Sequence, residues 1–158
     1  MADATIEAAR DLLGESLDEL RSAVGSCSAE QLNHRPGGDD TNGLAVLATH
    51  ALYSTRAWLS LATGADLPPR DRPAEFRIIV DDVDAFLSWF DATAGECRAL
   101  LDAAATFDPG RVGTAPWRPD ELAVEPVTAA WALMHALAHL REHVGHAQLT
   151  RQVAEPGA

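Results

Sequence analysis

Apolar residues recur at three- and four-residue steps in four separate stretches, and this pattern constrains the fold more than any other feature. Ile6, Ala9, Leu13, Leu17, Leu20 and Val24 form the first stripe and predict a helix over residues 4–24. Leu47, His50, Ser54, Trp58 and Leu61 share a face in a second helix over about 43–61. Val83, Leu87, Phe90, Ala94, Cys97, Leu101 and Ala104 mark a third, which begins near Asp81 or Asp82. A fourth, over about 127–153, is opened by Thr128 or Glu125. Its expected inward face is Trp131, His135, Ala138, His139, Glu142, His143, His146, Leu149 and Val153. Four amphipathic helices with few strand signals imply an all-α, four-helix bundle.

The segments between the stripes carry helix-breaking residues. Ser28, Glu30 and Gln31 suggest one short helical turn, which stops at Arg35-Pro36-Gly37-Gly38. Asp39, Asp40, Thr41 and Asn42 are N-cap candidates for the helix that follows. Pro68, Pro69 and Pro73 make residues 64–73 a loop. The run Arg77-Ile78-Ile79-Val80 is mostly β-branched and reads as a short extended piece without a partner strand. Residues 107–126 hold Pro109, Gly110, Gly113, Pro116, Pro119 and Pro126. So long a connection is often functional, and its Trp117 either covers a pocket or anchors the loop on the bundle. With no repeat or second composition, residues 1–158 read as one domain.

Charge narrows the range of partners. A net charge of −12 opposes direct binding to nucleic acid or to an anionic membrane surface, both of which need a basic face. Cys27 and Cys97 are too few for a disulfide framework and match no zinc spacing, so two reduced, part-buried thiols are expected. No stretch has the apolar length of a membrane span, and the acidic N-terminus does not resemble a secretory signal. The expectation is a cytoplasmic protein.

Chemistry concentrates in the histidines. His135, His139, His143 and His146 lie in the run MHALAHLREHVGHAQL, and on a helix they fall within about 80° of one another. Imidazoles at i and i+4 can grip one divalent ion from the same side. His139 with His143 and His135 with His139 share that spacing, so periodicity does not decide between the pairs. A third ligand must come from another helix, and His50 is the one well-placed candidate. Three protein ligands leave a coordination position for water or substrate, the arrangement of a catalytic zinc site. Against this stands an ordinary alternative, in which histidines on an apolar face are hydrogen-bonded core residues. His135 is read that way, and His34 as a loop side chain. His146 could contact the metal's surroundings or the substrate. Glu142 could orient a ligand or act as a base, or instead pair with an arginine such as Arg56 or Arg98.

Three segments resemble the DinB-like superfamily. Leu32-Asn33-His34-Arg35-Pro36-Gly37 is similar to the turn after that family's first helix. Leu47-Ala48-Thr49-His50, with Ala57-Trp58-Leu59 beyond it, resembles the histidine and downstream aromatic of its second helix. The segment from His139 to His146 resembles its closing H-x-x-x-H-x-G-Q motif, with His146 in place of the common Gln. The resemblance implies an up-down-down-up bundle, often dimeric, with His50, His139 and His143 as ligands of zinc or nickel. It also implies membership alongside YfiT-type metal-dependent hydrolases and mycothiol-dependent maleylpyruvate isomerase-like proteins, some of which use a low-molecular-weight thiol.

The resulting expectation is a metal-dependent enzyme acting on a small molecule, with thiol transfer favoured over hydrolysis. Glu142 or His146 would move protons, and Arg56 or Arg98 would hold an anionic substrate. The competing expectation is a non-catalytic bundle that binds a metal or a small ligand. A homodimer formed through helices is the candidate assembly.

Overall fold

A computed structural model describes residues 4–104, 106–115 and 126–154 of the chain. Four long helices make the bundle: α1 (Ala4–Val24), α3 (Leu44–Thr63), α5 (Val83–Asp102) and α6 (Ala129–Ala154). Two short ones, α2 (Ala29–Asn33) and α4 (Arg72–Glu75), lie in the connections. Strands β1 (Val112–Gly113) and β2 (Val127–Thr128) pair antiparallel at the foot of α6, a hairpin that the sequence pattern does not announce.

Pairs between helices fix the direction of each one. Arg10 donates to the Leu101 carbonyl at 2.8 Å and Arg21 pairs with Asp91 at 2.7 Å, so α1 and α5 run antiparallel. Arg141 meets Glu19 and Arg151 meets the Ser22 carbonyl, so α1 and α6 run parallel. Tyr53 packs on Trp89 and Arg56 pairs with Glu96, so α3 and α5 run parallel. His50 lies against His143 and Trp58 against Trp131, so α3 and α6 run antiparallel. Together these directions are up, down, down, up, as expected.

The helix ends follow from local chemistry. Ser28 accepts from the Gln31 N–H while the Gln31 side chain accepts from the Ser28 N–H, a capping box that opens α2. Asp82 caps α5 through the Ala85 N–H, and Thr128 accepts from the Trp131 N–H at the start of α6. Gly43 opens α3 where the backbone crosses close to the preceding turn. A Cβ there would come within 2.9 Å of the His34 carbonyl and 3.0 Å of the Leu32 carbonyl, so the position requires glycine.

Two expectations are corrected. First, α3 is buried on nearly every side rather than along one stripe, because α5 and α6 both pack on it. Arg56 is its sole Arg, Asp or Glu, as befits a helix with no fully solvated face. Second, the core face of α6 is Ala132, Leu133, Ala136, Leu140, Val144 and Ala147. Trp131, Leu149 and Val153, expected inside, are 42%, 62% and 69% exposed. Residues 77–80 pair with no strand among the described residues, in keeping with an extended piece that has no partner. The Asn33 side chain instead satisfies Val80 from both sides, donating to its carbonyl at 2.8 Å and accepting from its N–H at 2.9 Å. Trp117 and Glu125 lie outside the described residues. Cys27 and Cys97 are buried and not joined in a disulfide, and burial pushes the Cys97 thiol up to about 12.

Candidate metal centre

His50 projects from the middle of α3, and His139 and His143 from successive turns of the antiparallel α6. The helix pairing thus brings residues far apart in sequence to one point. One ligand atom from each lies within 4.8 Å of the others. His50 is buried, and His139 and His143 are half-buried. Of the two i, i+4 pairs, His139 with His143 is the one whose ligand atoms lie together with that of His50.

The donor set fits a divalent cation. The Nε2 atoms of His139 and His143 stand 3.3 Å apart. Two nitrogens bound tetrahedrally at zinc distances would be separated by about 3.3 Å. The Nδ1 atoms of both residues are buried without a hydrogen-bond partner among the described residues. Two buried imidazoles sharing one proton leave polar atoms uncompensated, which is costly. A cation between the rings would engage both Nε2 lone pairs. Both side chains are also held neutral, as metal ligands must be. Burial, followed by the neighbouring imidazoles, lowers His139 to about 3 and His143 to about 4.

That depression sets a pH dependence. In the unfolded chain both histidines titrate near their ordinary 6.5. Between that value and about 4 the unfolded chain binds protons that the folded pair refuses. Stability of the metal-free protein should therefore fall as pH drops through this window. Thermal melts of metal-free protein from neutral pH down to about pH 5 check this. A flat profile would contradict it.

The sequence reading missed the residues behind His50. Its Nδ1 lies 2.8 Å from Glu75 Oε2, and Arg70 reaches the same carboxylate through Nε at 2.7 Å and Nη2 at 2.9 Å. Glu75 is 2% exposed. Burial pushes its carboxyl up, but the hydrogen bonds from His50 and Arg70 and the Arg70 charge overcome that and hold it below the usual range. Arg70 lies in the segment read as loop, and Glu75 lies two residues beyond it. Asp71 caps a single turn through the Ala74 N–H at 3.1 Å, with Pro73 in its first turn, and this brings Glu75 inward. An Asp two residues before a Pro was the available signal.

The remaining predicted residues divide. His135 stacks on Trp131 with ring centroids 4.7 Å apart and also meets Trp58, the packing role expected of it. His34 is an exposed loop residue. Glu142 and His146, expected inside, are exposed because the core face of α6 is turned away from them. His146 keeps a stacked contact with His143 at 6.4 Å. Arg56 and Arg98 pair with Glu96 and Asp18 rather than with Glu142.

The family model of the DinB superfamily matches residues 12–147. The chain belongs to the DinB superfamily. It is also similar to a solved structure, that of a conserved protein from Enterococcus faecalis, at 16% identity and a TM-score of 0.73 over 98% of both chains. At that identity the likeness speaks for the fold alone. No curated protein matches the sequence. Three close histidines that could bind a metal ion accord with this DinB-like bundle. No helix among the described residues is long and apolar enough to cross a membrane.

Proposed function

We propose that this DinB superfamily protein is a metal-dependent enzyme acting on a small molecule, and that it transfers a thiol rather than hydrolysing its substrate. The observation that carries this reading is the all-imidazole donor set of His50, His139 and His143, which brings no anionic ligand to the ion. His139 and His143 are held neutral, and the one carboxylate behind the triad, Glu75, is balanced by Arg70. A divalent ion held by His50, His139 and His143, zinc or else nickel, would supply an undiminished positive charge that stabilises a thiolate at neutral pH.

The chain's own residues would do the rest. Trp58, Trp131 and His135 form an aromatic wall leading to His139, suited to an apolar part of a substrate. His146, exposed and stacked beside His143, is the better placed proton carrier. Glu142 is exposed, and no hydrogen bond or ion pair joins it to the triad among the described residues, so it has the lesser claim. The exposed Trp131, Met134, Leu149 and Val153 of α6 support association of two copies, a partnership that light scattering would measure.

The test is addition of low-molecular-weight thiols to cobalt-loaded protein. The reading expects a sulfur-to-metal charge-transfer band, together with thiol-dependent turnover of electrophilic small molecules. Fully loaded protein that shows neither would rule out thiol transfer. A second reading, a non-catalytic metal- or ligand-binding bundle, draws support from a cleft of about 360 Å³ lined by Thr49, Tyr53, Ile78, Val80, Phe86 and Trp89 but by none of the three histidines. Ligand binding in that cleft without any turnover would favour it.

A further inference from the structure

We propose that Glu75 and Arg70 act as positioning residues for His50, so that the connection between α3 and α5 is a working part of the metal centre. The proposal rests on the triad reading above and extends it to two residues outside the triad.

The geometry leaves little other role for Glu75. Its Oε1 accepts from Arg70 Nε, and its Oε2 accepts from both Arg70 Nη2 and His50 Nδ1. With both oxygens engaged, the carboxylate is a partner to a ligand rather than a ligand itself. An Nδ1 that donates to a carboxylate must carry the ring's proton, which leaves the lone pair on Nε2. Glu75 therefore selects the tautomer that can bind a metal and holds the ring's orientation. Phe76 packs against the same ring with centroids 4.8 Å apart and limits its rotation.

Arg70 makes the arrangement tolerable. A carboxylate buried without a partner would carry a large desolvation cost. The planar guanidinium offers two N–H groups in a fork that matches the two oxygens, and its side chain is itself only 5% exposed. It balances the charge of Glu75 and fixes the plane of the carboxylate that His50 meets. His139 and His143 have no such partner among the described residues, so His50 is the corner of the triad whose orientation the protein sets in advance.

Two measurements test this. In metal-free wild-type protein, the ring nitrogen shifts of His50 should report the Nδ1-protonated tautomer. An Nε2-protonated ring would overturn the proposal without any variant being made. In the second measurement, zinc affinity is read by competition with a chromophoric chelator. Glu75→Leu should weaken zinc roughly 10- to 100-fold, and Glu75→Gln, whose amide oxygen can still accept from Nδ1, should recover part of that loss. A merely structural ion pair predicts a lower Tm with unchanged zinc affinity, and that outcome refutes the positioning role. If wild-type protein binds no zinc, the triad reading fails, while the tautomer still decides the orientation that Glu75 imposes.

Discussion

Replacing His143 with alanine should abolish stoichiometric binding of a divalent metal while leaving the bundle folded. His143 supplies one of the two Nε2 atoms that face each other at 3.3 Å, and without it the centre keeps one ligand from each of two helices. Perturbing only the partner of a ligand typically costs about 10- to 100-fold in affinity, so loss of a ligand should cost more than roughly 100-fold. The fold should persist because the core of α6 is carried by Leu140 and Val144 on either side, both essentially inaccessible to solvent. His135→Ala is the paired control. It removes an aromatic contact with Trp58 and Trp131 but no ligand, so affinity should stay within a few-fold. Circular dichroism with metal titration reads both variants. Intact binding in His143→Ala, with loss in His135→Ala, would mean that the other i, i+4 pair holds the ion.

A large stability effect is expected at Leu52. This side chain is wholly inaccessible to solvent in the middle of α3, the helix enclosed by α5 and α6. The Cys97 thiol of α5 lies against the Leu52 backbone carbonyl, so the two helices are in direct contact at this level. Truncation to alanine removes buried methyl groups and leaves a cavity that three packed helices cannot easily close. The cost should be about 3–5 kcal/mol. For a domain of this size that lowers Tm by roughly 10 °C. Leu52→Met, which conserves volume, should cost less than about 1.5 kcal/mol. Denaturant unfolding of the two variants checks the contrast, and equal losses would argue against close packing at this point.

The sequence revealed the parts of this molecule that periodicity controls. The apolar stripes placed the four long helices to within a few residues, because amphipathic spacing and capping residues such as Ser28, Asp82 and Thr128 are local signals. His139 and His143 were legible as one of two candidate pairs for the same reason, since i, i+4 spacing survives into any helix, whereas the approach of His50 depends on the packing of α3 against α6. The rotation of α6 was not legible. Its histidines, Trp131, Leu149 and Val153 suggested one continuous inward face, whereas small residues, Ala132, Ala136 and Ala147, take the closest approach to its neighbours. Glu142 and His146 were drawn inside by that error. Glu75 escaped notice because its burial depends on a single capped turn and on Arg70, two features that carry no periodic pattern. Asn33 illustrates the same limit, since its pairing with Val80 joins residues separated by an entire helix.

The central claim is that His50, His139 and His143 hold a metal ion. Metal analysis of protein purified without a histidine tag tests it most directly, together with a thermal melt before and after chelation. The account predicts about one zinc or nickel ion per chain and a lower Tm once the ion is stripped. Substoichiometric metal, with a melting curve unchanged by chelation, would contradict it and leave the three histidines as ordinary side chains of a helical bundle.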